Sequence, residues 1–345
     1  MTTISRALTA LAALLLLLPN AAMAEDTIER IARVIDDGQV GEVKAIIIER
    51  GGEVLYERYF DGAAPGDRFD IRSAGKSITA LALGAALEDA FVPSLDAAPL
   101  TVFGGSGGRE SITLRDLVTM SSALDCNDWD QSSPGQEDKM YPKREWTPHA
   151  LGIPIQQDYV RDRDGFGRFS YCTAGVFLTG QYIERQVGER FDSYVQRRLF
   201  DPLGITDVKW KRSRSGEIQA GGQIEMRPRD LVRIGRLVLD GGAHRGQQIV
   251  PASWIDEMLT PYVRATSNAD YGYLWWLRAF RSGEYATTGW YMSGNGGNVV
   301  AVFEELDAVV TVVATNYNKP DMHQISNDII ERGALPLLLK MKPAE

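Results

Sequence analysis

A serine and a lysine stand three residues apart in the stretch 71–78, at Ser73 and Lys76. If Ser73 opens a helix, the two side chains lie on the same face, and the amine comes within reach of the hydroxyl. A neutral amine can take the proton of a hydroxyl, and the serine oxygen can then attack a carbonyl carbon. The pair therefore predicts a serine nucleophile that is activated without histidine.

The same stretch also resembles the end of a phosphate-binding loop, through Gly75, Lys76 and Ser77. That motif requires a glycine five residues before its Gly-Lys pair, and position 70 is Asp70. The preceding residues also lack the pattern of a buried parallel strand. Nucleotide binding is therefore not favoured.

A histidine-based hydrolase and a zinc site are disfavoured by composition. The chain has three histidines, all in polar contexts: His149, His244 and His323. It has two cysteines, Cys126 and Cys172. Too few ligands of the preferred types are available for a tetrahedral zinc site. We expect no metal and no organic cofactor.

The first 24 residues have the pattern of a signal peptide. Arg6 precedes the apolar run 8–18, and Ala22 and Ala24 form a small-x-small cleavage site. The run is short for a membrane span, so a retained anchor is the less favoured alternative. We expect export to the periplasm or the medium, with no stable membrane anchor after cleavage.

The remaining chain is long enough for one large domain or two closely packed domains. The formal charge of the full 345-residue chain is -9, which argues against nucleic acid and anionic membranes as partners. In an oxidising compartment Cys126 and Cys172 can form a disulfide, and the alternative is two separately buried thiols.

Hydrophobic periodicity divides the chain into a β-rich start, a helical middle and a β-rich end. A helix over 25–40 precedes a hairpin built from 43–49 and 54–60, and an apolar helix follows Ser73. Further helices are predicted over 171–187, 191–200, 229–239 and 252–259. Four successive strands follow over 271–280, 285–291, 298–303 and 309–315, and a last helix over 322–338.

This order predicts an α/β (α+β) fold with a discontinuous domain. Residues 25–95 and 262–345 would share one antiparallel sheet, and residues 96–261 would form a helical insert. The loop 124–168 is unusually long for a compact domain, which is typical of a functional or mobile segment.

Two further segments could serve the Ser73–Lys76 pair. Residues 170–175 place Tyr171 at the start of a helix, and residues 293–298 contain two adjacent glycines before a strand. Glycines at that position allow a strand to approach a substrate closely, although an ordinary turn has the same composition.

Together these segments resemble the motifs of the serine β-lactamase and penicillin-binding-protein superfamily. The closest resemblance is to its class C-like branch, with family VIII esterases, D-aminopeptidases and 6-aminohexanoate-dimer hydrolase. The first motif, S-x-x-K, is complete. The second, Y-x-N or Y-x-S, is met at Tyr171 with Thr173 in third place. The third, K-T-G, H-x-G or W-x-G, reads Asn295-Gly296-Gly297.

The resemblance covers residues 40–335 and includes the segments 117–122, 202–205, 229–231 and 271–273. It implies the β-lactamase/transpeptidase-like fold. In that fold, N- and C-terminal helices flank an antiparallel sheet, and an all-helical domain is inserted.

The resemblance also implies roles for the motif residues. Ser73 would form the acyl-enzyme, while Lys76 and Tyr171 would move its proton, in an order that the sequence leaves open. Backbone N–H groups of Ser73 and Asn298 would hold the oxyanion. Thr173, Asn295, Gly296 and Gly297 would contact the substrate.

Two departures from the family pattern bear on the substrate. Thr173 keeps a hydroxyl where an amide or a shorter hydroxyl is usual. Asn295 replaces the cation that would face a substrate carboxylate, which favours a neutral ester or amide unless Arg72 or another arginine supplies that charge.

The segment 126–145 is expected to determine specificity. Trp129, Tyr141 and Trp146 could line a pocket, and the alternative is that they pack the helical domain. Trp275 and Trp276 alternate along a predicted strand, so at most one should face the site.

We therefore expect an exported serine hydrolase that acts on a small ester, amide or peptide-like molecule through Ser73. One alternative is a β-lactamase or D,D-peptidase that acts on cell-wall substrates. An alternative of another class is a non-catalytic module that binds peptidoglycan or a partner protein. The sequence leaves the oligomeric state open.

Overall fold

The computed structural model describes residues 23–340. Its chain divides into two compact units. Among the described residues, the first unit comprises 23–69, 227–239 and 279–340, and the second comprises 70–226 and 240–278. Residues 1–22 of the expected signal peptide lie outside the described residues. The expected domain boundaries near residues 95 and 262 stay a prediction.

Ten α-helices lie within residues 23–340. In chain order they are α1 Met23–Asp36, α2 Lys76–Glu88, α3 Leu114–Val118, α4 Thr147–Leu151, α5 Thr173–Val187, α6 Phe191–Val195, α7 Pro228–Leu239, α8 Ala252–Met258, α9 Met322–Ile329 and α10 Leu335–Lys340. Two π-helical turns, Gln196–Phe200 and Ile330–Ala334, interrupt the long helices predicted over 191–200 and 322–338.

Thirteen strands lie in the same part of the chain. They are β1 Val43–Arg50, β2 Glu53–Tyr59, β3 Phe69–Asp70, β4 Lys209–Trp210, β5 Ile224–Met226, β6 Ala243–His244, β7 Gln247–Gln248, β8 Val263–Thr266, β9 Ala269–Tyr271, β10 Trp276–Ser282, β11 Tyr285–Gly294, β12 Asn298–Phe303 and β13 Ala308–Ala314.

The first unit is organised around an antiparallel sheet with the order β2-β1-β13-β12-β11. β12 and β13 are buried along their whole length, because helices cover both faces of the sheet. Val310 and Val312 point to the core shared with α1, α9 and α10. On the other face Gly235 of α7 lies so close that an added Cβ would be 2.6 Å from Val309. The expected fold class, with a large antiparallel sheet, is confirmed.

The second unit contains α2–α6 and α8 together with short strands. α2 is buried on all sides, as expected for an apolar core helix. A Cβ on Gly84 would lie 2.1 Å from the ring of Trp254, whose indole N–H donates to the Ala80 carbonyl. Small pairs of strands, β4–β5 and β6–β7, lie in a region for which the sequence predicted helices alone.

The bounds predicted for the strand 271–280 are wrong. One strand, β9, ends at Tyr271, and the next strand, β10, begins at Trp276. Between them the Gly272 N–H donates to the Trp275 carbonyl at 2.9 Å, and Leu274 has a φ of 59°. This turn brings Trp276 opposite Tyr271 on the antiparallel neighbour. No helix within residues 23–340 is both long and apolar enough to cross a membrane.

Candidate active site

Ser73 lies in a short 3₁₀ turn, Arg72–Gly75, and α2 begins at Lys76. The expectation that Ser73 opens the α-helix is therefore wrong by three positions. In a 3₁₀ turn the side chains of residues three apart are eclipsed, which brings the pair together even more directly. Lys76 Nζ lies 3.0 Å from Ser73 Oγ, within hydrogen-bond distance. Arg72, just before the serine, has a φ of 52°, a conformation that non-glycine residues adopt rarely.

Lys76 is buried, and burial favours the neutral form of its amine. Its side chain is 1% exposed, and Nζ also donates to the Gly221 carbonyl at 2.6 Å. Burial lowers the pKa of Lys76, and this effect outweighs the opposing charges of Glu137 and Asp128. The amine is therefore better suited to accept a proton than an ordinary lysine.

The carbonyl that holds Lys76 belongs to a segment that sequence reasoning missed. A Cβ on Gly221 would lie 2.7 Å from the Thr173 side chain, and a Cβ on Gly222 would lie 2.6 Å from the Arg72 carbonyl. Thr79 of α2 donates to the neighbouring Ala220 carbonyl at 2.6 Å. The two glycines allow this segment to approach both catalytic motifs, and the sequence Gly221-Gly222 is the signal that could have indicated it.

Tyr171 lies beside the Ser73–Lys76 pair. Its phenol interacts with Ser73 through a side-chain hydrogen bond, and its ring centroid is 5.0 Å from Lys76 Nζ. Burial raises the pKa of Tyr171 above its ordinary value, and the charges of Asp128 and Glu137 act in the same direction. The phenol is therefore neutral and can donate a proton.

Two tryptophans stack on the Tyr171 ring. Trp129 lies 5.3 Å away with an interplanar angle of 7°, and Trp276 lies 5.9 Å away with an angle of 25°. Phe169 packs against all three rings. Trp129 is 58% exposed, so this aromatic cluster reaches from Tyr171 to the surface.

The remaining predicted aromatics divide between packing and the site. Trp275 is fully buried while Trp276 faces Tyr171, which confirms that only one of the pair does so. Trp146 is buried 5.8 Å from Phe177, so the packing alternative holds for this residue. Tyr141 donates to Glu137 Oε2 at 2.6 Å and lies edge-on to Trp146.

The segment that carries Trp129 is attached to the start of α5. Cys126 and Cys172 form a disulfide with an S–S distance of 2.03 Å. The Asp128 N–H donates to the Tyr171 carbonyl at 2.8 Å, and Asp128 Oδ2 accepts from the Thr173 N–H at 2.7 Å. The Thr173 side chain is fully buried, and its role in substrate binding stays a prediction.

The predicted third motif lies in the first unit, in the turn between β11 and β12. The Asn295 side chain exchanges two hydrogen bonds with Asn318, at 2.7 and 2.8 Å. Gly296 and Gly297 have φ values of 94° and 90°, and a Cβ on Gly297 would lie 2.6 Å from a carbonyl of α9. Asn298 begins β12 and is buried. Packing thus accounts for the glycines, and the substrate and oxyanion roles of 295–298 stay predictions.

Within residues 23–340, no group of three or more His, Cys, Asp or Glu side chains is placed to hold a metal ion.

Comparison with known proteins supports the family assignment. Residues 29–334 match the model of the Beta-lactamase family, so the chain belongs to that family. Over 268 residues it is 28% identical to 6-aminohexanoate-dimer hydrolase of Paenarthrobacter ureafaciens, a match that covers 75% of this chain and 66% of the relative. The chain thus spans slightly less than two thirds of that relative's length.

Two solved structures have a similar fold. D-amino acid amidase from Ochrobactrum anthropi SV3, complexed with L-phenylalanine, has a TM-score of 0.68 at 20% identity, covering 90% of this chain and 98% of that one. A penicillin binding protein from Bacillus halodurans has a TM-score of 0.68 at 17% identity, covering 87% and 98%. These two likenesses show the fold alone. The expected superfamily and the expected class, a hydrolase of the serine β-lactamase type, are confirmed.

Proposed function

We propose that this protein is an exported serine hydrolase that cleaves a small, neutral amide or ester through a Ser73 acyl-enzyme. The observation that carries the proposal is the buried Lys76 amine, 3.0 Å from Ser73 Oγ. Burial disfavours the charge of this lysine, so its amine can accept the proton of the serine hydroxyl beside it. A purely structural lysine needs neither a buried amine nor a neighbouring hydroxyl.

The directions of the two pKa shifts support an order of proton transfer in which Lys76 is the base. Burial lowers the pKa of Lys76 and raises that of Tyr171, so both groups favour their neutral forms. A neutral amine is a base and a neutral phenol is an acid. Lys76 therefore takes the proton of Ser73 as Oγ bonds to the carbonyl carbon, and the carbonyl π electrons move to the oxygen.

Collapse of the tetrahedral intermediate breaks the bond to the leaving group. Tyr171 gives its phenolic proton to the departing amine or alkoxide and is reprotonated from Lys76. Water then attacks the acyl-enzyme, loses a proton to the same pair and releases the acid, and Ser73 regains its hydrogen. The Ser73 N–H would serve as one oxyanion donor, and the Asn298 N–H is proposed as the second.

Three features support a neutral substrate of the amide or ester type. The relative from P. ureafaciens is described as a 6-aminohexanoate-dimer hydrolase, and the O. anthropi protein as a D-amino acid amidase. The exposed face of Trp129 offers an apolar surface next to Tyr171. The carboxylates of Asp128 and Glu137 act on the catalytic groups, so an anionic substrate would meet repulsion there.

The alternatives are tested with one panel of acyl donors. We expect purified protein to hydrolyse p-nitrophenyl acetate or butyrate, or a short amide such as 6-aminohexanoate dimer, faster than nitrocefin or a D-Ala-D-Ala peptide. Faster hydrolysis of nitrocefin or the peptide would support the cell-wall alternative. Absence of turnover and of fluorophosphonate labelling, with the protein folded, would support the non-catalytic alternative. Ser73→Ala is the control for each substrate.

A further inference from the structure

Asp128 is a carboxylate at the site that the proposed chemistry does not use. Its backbone N–H donates to the Tyr171 carbonyl at 2.8 Å. One carboxylate oxygen accepts from the Thr173 N–H at 2.7 Å, and the other accepts from the Glu137 N–H at 3.0 Å. One side chain thus ties the segment 126–145, called the specificity segment because it is predicted to determine specificity, to the start of the helix that follows Tyr171.

The neighbours of Asp128 contact the same short segment. Cys126 is bonded to Cys172, and the Trp129 ring stacks on Tyr171. These contacts restrain Tyr171 by covalent connection and by packing. Asp128 differs from both neighbours because it also introduces a negative charge, so substitution at this position can separate an electrostatic role from a purely structural one.

The charged and titratable groups that interact with Asp128 come from three elements. Lys76 lies on α2, Tyr171 precedes α5, and Glu137 lies in the same segment as Asp128. The charges of Asp128 and Glu137 both favour the protonated form of Lys76 and the neutral form of Tyr171. An ionised Asp128 also accepts two N–H groups, which a protonated carboxyl would hold less well.

We propose that Asp128 is a positioning residue that holds Tyr171 beside Ser73 and whose negative charge acts on Lys76. Its importance for turnover rests on the proposed function. Its effect on Lys76 does not, because that effect can be measured in the absence of substrate.

Asp128 loses its charge in a pH range in which activity can be measured. Burial, supported by the charge of Glu137, raises the pKa of Asp128 to about 6. As the pH falls through this value, Asp128 becomes neutral, and its attraction for a proton on Lys76 and its hold on the Thr173 N–H both weaken. The weaker hold on the Thr173 N–H therefore contributes to the loss of activity below this pH, whereas the weaker attraction for a proton favours the neutral base. Asp128→Asn removes both pH-dependent effects.

The direct test is a titration of Lys76 by NMR in protein labelled with ¹³C at lysine Cε. The Lys76 resonance is identified by its loss in Lys76→Arg. In Asp128→Asn we expect the midpoint of Lys76 to fall by on the order of one pH unit, because a nearby opposite charge has been removed. Asp128→Glu should return the midpoint toward that of the wild type.

Asp130→Asn is the matched control. Asp130 lies two positions further on, is exposed and accepts hydrogen bonds from Ser132, so this substitution removes the same charge away from the site. An unchanged Lys76 midpoint in Asp128→Asn, or an equal shift in Asp130→Asn, would overturn the proposal. If Asp128→Asn does not fold, Asp128→Ser removes the charge while keeping an acceptor for the Thr173 N–H.

The pH dependence of kcat separates positioning from general stabilisation. For Asp128→Asn we expect kcat to fall on the order of tenfold at its optimum with little change in KM, since a charge-assisted hydrogen bond is lost. The acid limb should move to lower pH. A fall in activity with an unmoved acid limb would leave only a structural role and contradict the proposal. If the Lys76 midpoint shifts in Asp128→Asn but Ser73 is never acylated, the proposed function is wrong, while the effect of the Asp128 charge on Lys76 is supported.

Discussion

Lys76 is the residue on which the proposed chemistry depends, because its charge state decides whether Ser73 can lose a proton. The fold buries this amine, which would be charged in water, and burial lowers its pKa, while the Gly221 carbonyl accepts a hydrogen bond from it. The nearby carboxylates oppose this effect without reversing it. The site therefore maintains a base by removing water from an amine, where other serine hydrolases use an imidazole.

Replacing Lys76 by arginine should abolish this base while keeping a long cationic side chain. We expect Lys76→Arg to lose at least about 100-fold in kcat, because guanidinium does not deprotonate in proteins. In the wild type, protonation of Lys76 stops catalysis, so activity should fall as the pH drops through its pKa, which lies below 10.5.

The check is kcat/KM against pH for both proteins, with circular dichroism to show that each remains folded. An arginine variant that retains wild-type kcat would contradict the assignment of Lys76 as the base.

The motif residues were accessible from sequence because their types and spacing are characteristic. The order of proton transfer could not be predicted from the sequence. It depends on the burial of Lys76 and Tyr171, which arises only when α2, the Gly221 segment and the aromatic cluster pack together. Asp128 was missed for a similar reason. It stands in a loop rich in acidic residues, and only the folded chain shows which carboxylate accepts from the Thr173 N–H, two residues after Tyr171.

The start of α5 is the structural element that brings these groups together. Tyr171 lies just before the helix, Cys172 is its N-cap, and the specificity segment attaches to both. Further along, Gly180 of the same helix packs on Ala220, next to the carbonyl that holds Lys76. Both the acid and the base are therefore positioned by contacts of this one helix.

A methyl group at Gly180 should disturb the base through this contact. An added Cβ would lie 2.1 Å from the Ala220 Cβ, so one of the two segments must move. We expect Gly180→Ala to lower the free energy of unfolding by about 1–3 kcal/mol, the usual cost of overpacking, and to lower kcat. Gly66→Ala is the control, because nothing lies within 4 Å of its added Cβ.

Chemical denaturation of both variants and their kcat values provide the measurement. Equal stability and equal kcat in the two variants would show that the contact of α5 with the Ala220 segment does not matter.

The disulfide predicts a simple thiol count. We expect no reactive thiol in the denatured, non-reduced protein and two after reduction, because Cys126 and Cys172 are bonded to each other. Cys126→Ser should expose one. Titration with a thiol reagent gives the count, and two reactive thiols before reduction would refute the bond.

Element types were predictable wherever periodicity was strong, as for α2 and the hairpin β1–β2. The bounds failed where local geometry changes without a clear signal in composition. The turn that separates β9 from β10 contains Leu274 with a positive φ, in a run that reads as one apolar strand. The 3₁₀ turn at Ser73 was concealed in the same way, since its residues suit an α-helix equally well.

For the molecule as a whole, the two ends of the chain build one sheet in the first unit. β1 pairs with β13 along its length, with Ile47 opposite Thr311. The order of elements predicted that both ends of the chain share a sheet, but it did not show which strands pair, because that pairing follows from packing on both faces of the sheet. The division into units was likewise not readable from composition, because residues 227–239 join the first unit from the middle of the chain.

Export depends on the signal-peptide pattern of residues 1–24 and stays a proposal. Expressed in a host with two membranes, the protein should be found in the periplasm with Glu25 as its first residue, because a short apolar run ends at a small-x-small site. Fractionation and N-terminal sequencing test this, with Leu14→Arg as a variant that should remain inside the cell. A wild-type chain that stays in the cytoplasm and begins at Met1 would contradict it.

The central claim is that acyl transfer passes through Ser73, and trapping the acyl-enzyme tests it most directly. The protein is quenched in acid during turnover of p-nitrophenyl butyrate, digested and examined by mass spectrometry. We predict a butyryl group on Ser73 in the wild type, a greater yield in Tyr171→Phe if deacylation slows more than acylation, and none in Ser73→Ala. Turnover with the acyl group on another residue, or turnover that persists in Ser73→Ala, would contradict the account.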